Sequence, residues 1–585
     1  MRFRIFGVAA ILLWALSPLG AQQPSIDDFF ERFTADWVRL NPNQATNARY
    51  FAGAEQEALE RQITPLTAEW RASRRALARR GLAELATFDR ARLTDDQRLS
   101  ADLMRWQLEI DVEGEQYEEF AFPLEQFAGA NVNLPNLAVT HPLVTEQDAA
   151  NYIARLRQVA ARMDEAVAEA ISLAEKARVP PRFIVGATIT QMEQFIAGPP
   201  ADNPFVAVFA DRMAATPGVP AATRARLRAE AEQITANQIY PAWRAALDVL
   251  RPLEGRTTDA PGLSRFPGGL EAYAYHLRRF TSTNLTADEI HQIGLREVAS
   301  LEAEMDTILR QLGRTTGSVK DRIVQLETDL AYPNDEAGRA RIMADIDGFI
   351  RDAQQRSQSL FARTPKAPVI ARPFPKFREN TAAANYNGPS RDGSRPGTFQ
   401  IPLRPSYLTR FGLKTLVYHE TVPGHHFHIA LEVENTANPR FRQIRALGGI
   451  SAFSEGWALY AERLASENGW YEGDLEGRLG QLDAALFRAR RLVVDTGLHA
   501  KGWTRQQAID YGIEASEIDR YVVNPGQACA YMIGQLKFVE LREKMRAALG
   551  PRFDPKVYHD LVLSTGTVPL TMIEDVVDRY IAANR

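Results

Sequence analysis

Four of the chain's nine histidines, His419, His425, His426 and His428, fall within one short stretch, LVYHETVPGHHFHIALEVEN at residues 416–435. Glu420 directly follows His419, and a second acidic segment, SAFSEGWALYAERL at residues 451–464, adds Glu455 and Glu462. Two imidazoles and one carboxylate are the protein ligands of a catalytic zinc, which keeps its fourth position for water. A further carboxylate, close to the ion but not coordinated, takes the proton from that water. The residue types therefore predict one Zn2+ per chain, with His419 and Glu455 as two ligands and His425 or His426 as the third.

The spacing departs from the usual HExxH, in which two histidines four residues apart share one helical face. Here the residue four after His419 is Pro423, which ligates nothing. On a regular helix His425 turns to the far face, and His426 returns to the near face only after a rise of about 10 Å, too long for one metal. Pro423 lacks an N–H and collides with the preceding turn, and Gly424 tolerates unusual dihedrals. The sequence thus predicts a break at Pro423–Gly424 that absorbs two residues and brings His425 under His419.

Within residues 451–464, Phe453, Trp457, Tyr460 and Leu464 form one apolar helical stripe, and Glu455, Leu459 and Glu462 lie on another face. Gly456 and Trp457 beside Glu455 point to a buried setting, where a lone carboxylate needs a partner. Glu462, two turns further on, is too far to share the metal and is expected to orient a ligand or bind substrate. The segment RARRLVVDTGLHAKGW carries Arg490, Arg491, Asp495 and His499. His499 is a candidate proton donor or substrate contact, and equally a structural partner of Asp495 four residues before it. In YVVNPGQACAYMIGQLKFVELR, Tyr531 is a candidate for stabilising an oxyanion.

The elements that must position these residues read as mainly α. Amphipathic helical runs are predicted over residues 26–39 (N-cap Ser25), 65–80, 94–110, 146–177, 221–250 (kinked or split by Pro241), 287–312 and 336–359. One region differs: APVIARPFPKF and NYNGPSRDGSRPGTFQIPL predict a few strands with tight turns just before the histidine segment. In zinc peptidases a small sheet in that place binds extended substrate by strand addition, and the same residues read equally as a surface loop packed on helices.

Composition narrows the function. Hydrophobic content of 45% and charged content of 24% are those of a globular chain, and a net charge of −4 offers no basic footprint for nucleic acid. Residues 1–21 read as a Sec-type signal peptide cut after Ala21, giving a periplasmic or secreted protein with no stable membrane association once cleaved. The single cysteine, Cys529, excludes an internal disulfide and reads as a small apolar helix residue. Residues 22–585 are expected to form one body, with a helical half over about 22–360 and a zinc-bearing half over about 361–585.

HETVPGHH, SEGWALYAE, DGSRPGTF, VDTGLHAKGW and NPGQACAYMIGQL together resemble the bacterial domain-of-unknown-function family 885, a metallopeptidase-like group, over almost the whole mature chain. A more distant resemblance is to thimet-type oligopeptidases, carboxypeptidase Taq and angiotensin-converting enzyme, helical proteins with a deep cleft and an HExxH…E zinc site. That resemblance implies a gluzincin-type, zincin-like body with a small β-sheet beside the active-site helix. GHHFH at residues 424–428 is similar to the GHxxH of thimet-type enzymes, which implies His425 as the second ligand, Glu420 as the general base and Glu455 as the third ligand. GQACAYMIG is similar to a late carboxypeptidase Taq segment and matches Tyr531 to its second tyrosine. The two-residue lengthening departs from the pattern, and dipeptidyl peptidase III tolerates a one-residue lengthening. The expected function is zinc-dependent hydrolysis of oligopeptides, with Glu420 as base and Tyr531 and His499 on the oxyanion. The alternatives are a zinc hydrolase of non-peptide amides or esters, and a non-catalytic metal-binding protein of the same fold.

Overall fold

The Ser25 hydroxyl accepts a hydrogen bond from the Asp28 amide and the Asp28 carboxylate accepts one from the Ser25 amide, a capping box that starts helix Ile26–Arg39. The same device starts the helices Asp95–Glu113, Glu146–Leu156 and Val319–Leu330. The computed structural model in which these are seen describes residues 25–374, 379, 383–391, 393, 395–404 and 408–585. The expected signal peptide at residues 1–21 lies outside the described residues. No described helix is long and apolar enough to cross a membrane.

The fold is mainly α. The predicted runs are helical, two of them divided, and further helices that the sequence reading did not assign, among them Arg182–Ile196, Gly269–Thr281 and Leu570–Asn584, join them. The run over residues 146–177 separates into Glu146–Leu156 and Val159–Glu175. The run over 221–250 separates at a π turn, Thr235–Ile239, and Pro241 sits in the first turn of the following helix, Tyr240–Glu254. Proline has no N–H to give the preceding turn, and the widened π turn before it, in which Tyr240 N–H donates to the Thr235 carbonyl, accommodates the missing bond.

Seven helices frame the histidine segment: α1 (Ala287–Gln311), α2 (Arg410–Glu420), α3 (His425–Glu434), α4 (Ser451–Glu467), α5 (Leu475–Ala500), α6 (Ala515–Val523) and α7 (Ala530–Leu549). α5 is buried along most of its length, packed between α1 and α2, and α4 packs on α7. Gly456 of α4 meets Gly534 of α7 so closely that a Cβ on either would overlap the other helix's backbone. That crossing sets Glu455 and Tyr531, one turn before Gly534, on neighbouring faces.

The region predicted as strands forms a three-stranded sheet in the order β1 (Val369–Pro373), β3 (Gly397–Ile401), β2 (Asn385–Asn387). β1 runs parallel to β3, with Val369 opposite Gly397, and β2 runs antiparallel, with Tyr386 opposite Phe399. The largest apolar core joins both ends of the chain, from Ile26 to Ile581, and surrounds the histidine segment with Phe427, Phe453, Trp457 and Phe538. A second core gathers helices between Ile63 and Leu253.

Candidate metal centre

The expected break is present. α2 ends at Glu420 and α3 begins at His425, and the four residues between hold a compact turn that includes a cis Val422–Pro423 bond. The Gly424 amide donates to the Tyr418 carbonyl at 3.1 Å, and the His426 amide donates to the Thr421 carbonyl at 3.1 Å. The chain is so tight that a Cβ on Gly424 would overlap the carbonyl oxygens of His419 and Tyr418. Trp457 of α4 holds the turn from outside, its indole N–H donating to the Pro423 carbonyl at 2.9 Å.

This turn brings His425 against His419, with ring centroids 4.8 Å apart and planes nearly perpendicular. Glu455 completes the group: its Oε2 lies 3.6 Å from His419 Nε2 and 3.4 Å from His425 Nε2. Two ligand atoms held about 2 Å from one tetrahedral ion stand about 3.3 Å apart. One donor atom from each of the three residues falls within 4.8 Å of the others, so this trio can hold a metal ion.

The electrostatics match a cation site. Burial pulls the His419 pKa down, but its hydrogen bonds to Glu455 and Glu462 outweigh this and raise it to about 9. Burial pushes Glu455 up, and the charge and hydrogen bonds of His425 and His419 bring it well below the usual carboxylate range. Glu420 is 6% exposed, and its Oε2 has no hydrogen-bond partner among the described residues. Its pKa is raised, chiefly by burial and also by Glu455, against the pull of His425, His419 and Arg488. Glu420 is thus a buried carboxylate of raised pKa beside three residues that could hold a metal ion.

His426 turns away from the trio. Tyr386 of β2 donates its hydroxyl to His426 Nδ1 at 2.8 Å, and burial lowers the ring's pKa to about 4 although a hydrogen bond with the Ala367 backbone works against this. Of the two alternatives the spacing left open, the structure groups His425 with His419 and gives His426 to the sheet. His428 is buried in the core, its Nε2–H donating to Thr567 Oγ1 at 2.9 Å, and Thr567 donates in turn to Glu432 at 2.9 Å.

His499 differs from its expected role. The Leu263 amide donates to its Nδ1 at 3.2 Å and its Nε2–H donates to the Tyr521 carbonyl at 3.0 Å. Both ring nitrogens are therefore held by main chain, and burial lowers the pKa to about 4. Nor does it pair with Asp495, which accepts instead from the Tyr273 hydroxyl at 2.6 Å and the Gly526 amide at 3.0 Å. A helical i, i+4 spacing puts two residues on one face but does not choose between that partner and those on packed neighbours.

Tyr531 lies on α7, which crosses α4 at Gly456 and Gly534; burial raises its pKa and the charge of Glu455 raises it further. Arg488 and Arg491 of α5, whose charges act on Glu420 and Tyr531, were not assigned to the site by the sequence reading. The signal available was their i, i+3 spacing in a helix otherwise apolar on that face. A cavity of about 1820 Å³ lies elsewhere, lined by Asn43, Arg71, Arg391, Arg395 and Gln443 among others, and none of the trio, Glu420 or Tyr531 lines it.

Residues 42–577 match the sequence profile of a family described as bacterial protein of unknown function, DUF885. The chain belongs to the DUF885 family. No curated protein matches it. Among solved structures, a candidate lipoprotein from Colwellia psychrerythraea is 30% identical over 95% of this chain and 99% of its own, with a TM-score of 0.90. A second, a candidate lipoprotein of unknown function from Shewanella oneidensis, is 19% identical over 94% of this chain and 99% of its own, with a TM-score of 0.70, and shares the fold. This DUF885 chain thus has its architecture in common with relatives that cover nearly its whole length.

Proposed function

We propose that this DUF885 protein is a zinc-dependent peptidase of zincin-like architecture. The observation that carries the reading is Glu455 Oε2 lying 3.6 Å from His419 Nε2 and 3.4 Å from His425 Nε2, with one donor atom from each residue within 4.8 Å of the others, and a Glu420 carboxylate whose Oε2 has no hydrogen-bond partner among the described residues. Zinc bound there supplies Lewis-acid activation of a water and of a substrate carbonyl. Glu420 takes the water's proton and delivers it to the leaving amine. Tyr531 donates its hydroxyl to the oxygen of the attacked carbonyl. His499 has no part in this scheme, because its ring is committed to main chain.

The three-stranded sheet beside α3 offers an extended peptide a place to align. The description of the Colwellia relative as a candidate lipoprotein favours export, and with it a periplasmic or secreted site of action.

The test is metal content by inductively coupled plasma mass spectrometry for the wild type, His425→Ala and His426→Ala, with hydrolysis of a mixed oligopeptide library followed in parallel. The expected result is about one zinc per chain, lost in His425→Ala and kept in His426→Ala. Glu420→Gln is expected to keep the metal and lose hydrolysis by several orders of magnitude. A wild type that takes up no zinc after incubation with it overturns the reading. Stoichiometric zinc with turnover of acyl-amide or ester substrates alone would move the assignment to non-peptide hydrolysis.

A further inference from the structure

The cavity of about 1820 Å³ lies where the helices of the second core, which give Ile63 and Leu134 to its wall, face the histidine half, which gives Val433 and Ile444. It exceeds the roughly 300–1,000 Å³ of a pocket for one small molecule, so a chain of several units fills it better. The turn from β2 into β3 contributes Pro389, Arg391 and Arg395. α3 links the cavity to the candidate metal centre, because Val433 stands about 12 Å along that helix from His425.

Three guanidinium groups that line the cavity lack an acid. Arg391 is exposed and has no hydrogen-bond or ion-pair partner among the described residues. Arg395 donates to the Gly388 carbonyl at 2.7 Å. Arg440 donates to the Tyr50 carbonyl at 2.7 Å and lies 3.7 Å from the centroid of the Tyr50 ring. No described carboxylate pairs with either. The acids that line the cavity are already matched: Arg71 donates to Glu118 at 3.2 Å and to both Glu169 oxygens at 2.8 Å, and Arg75 also pairs with Glu118.

Two lining amides are oriented to the same effect. Asn41 Oδ1 accepts from the Gln44 amide at 3.1 Å and from the Thr64 hydroxyl at 2.6 Å. Asn43 Oδ1 accepts from the Thr64 amide at 3.3 Å and from Arg155 Nη2 at 2.5 Å. Both oxygens are used within the fold, so each side chain has its Nδ2 amino group left to offer. Neither Nδ2 has a partner among the described residues, and neither is among the fully buried atoms that lack one. The cavity therefore presents accessible donors and uncompensated positive charge, and carboxylates match guanidinium groups in both geometry and charge.

We propose that this cavity binds acidic oligopeptides, with Arg391, Arg395 and Arg440 receiving side-chain carboxylates and the Asn41 and Asn43 amino groups donating to further oxygens. The carboxylate site stands on the cavity alone, whereas the choice of a peptide over another polycarboxylate rests on the peptidase reading above.

The test uses a hexapeptide of alternating Glu and Ala, its Gln counterpart, both blocked at their ends, and oligogalacturonate. Binding of each to Glu420→Gln is measured by calorimetry at about 50 and about 300 mM salt, and wild-type cleavage of the free-ended peptides is followed in parallel. The expected result is a preference for the Glu peptide of about 10-fold at low salt, the range of one charge-assisted hydrogen bond, narrowing at high salt. Arg391→Gln combined with Arg395→Gln should bring the two peptides close to equal. Arg391 has no partner in the fold, so Arg391→Gln is expected to melt with the wild type and isolates binding from folding. Equal binding of the two peptides, or a preference that survives the double substitution, overturns the proposal, and cleavage of both would leave the peptidase standing. Arginine-dependent binding of oligogalacturonate without binding of the Glu peptide overturns the assignment to peptides. No cleavage of either peptide, with the Glu preference intact, sinks the peptidase reading and supports the cavity's role.

Discussion

Glu462 Oε1 accepts a hydrogen bond from His419 Nδ1–H at 2.7 Å, so Nε2 is the nitrogen turned toward Glu455 and His425, and its proton is the one an ion bound there would displace. A carboxylate on the far nitrogen of a metal-binding imidazole fixes its tautomer and raises its basicity. Glu462 is 1% exposed, so this pairing is set within the core and depends on α4 lying against α2. Removing the partner in Glu462→Ala is expected to lower zinc affinity about 10- to 100-fold. Glu462→Gln, which can still accept the bond, should lose less. Competition with a chelator of known affinity measures both, and wild-type affinity in Glu462→Ala would falsify the orienting role.

Gly424 tests the turn itself. A methyl group there would overlap the His419 carbonyl oxygen, so Gly424→Ala must push α3 away from α2 and carry His425 with it. The expected outcome is a helical circular dichroism spectrum close to wild type with zinc stoichiometry well below one. A variant that binds zinc normally would show that the turn can move without disturbing the ligands.

Much of the site could be read from residues 416–464, because the elements that make it are local: a His-Glu pair, a helix-breaking Pro-Gly and a glutamate beside Gly456 and Trp457. The break at Pro423–Gly424 followed from the requirement that a regular helix could not close the ligand set. The break also favoured His425 over His426, but what holds His426 aside was not legible, because it depends on Tyr386, which is 40 residues away in the chain and reaches His426 only once the sheet has formed. Asp495 and His499 failed in the same way. Their spacing was correctly helical, but the Tyr273 hydroxyl and the Leu263 amide, more than 200 residues earlier, claim them instead. Helix positions were likewise legible from capping residues and periodicity, whereas the pairing of distant helices through Gly456 and Gly534 was not.

His426 gives a contrasting prediction. Its partner Tyr386 ties β2 to α3, so Tyr386→Phe removes one buried hydrogen bond from that junction and leaves the metal trio untouched. The expected cost is about 1 kcal/mol of stability, with zinc content unchanged. Thermal unfolding beside metal analysis measures both, and loss of zinc in Tyr386→Phe would mean that the sheet controls the ligands more directly than its contacts indicate.

Asp495 supplies a pH dependence separate from the metal. Burial raises its pKa from 3.8 to about 7, against the hydrogen bonds from Tyr273 and Gly526 that favour the ionised form. A carboxyl that holds its proton more tightly in the folded chain than in the unfolded one contributes stability that is fully present below the unfolded pKa. That contribution is lost as the pH rises through the folded value. The window for this residue therefore runs from 3.8 up to about 7. Asp495→Asn keeps an oxygen that can accept from Tyr273 and Gly526 and carries no charge at any pH. Melting temperatures of wild type and Asp495→Asn should converge, or favour the wild type, at the acid end of the window. They should separate in favour of the variant by several degrees at about pH 8. A difference between the two that stays constant across the window would show that Asp495 does not change its charge there, and that its carboxylate is stabilised by more than the two bonds it accepts.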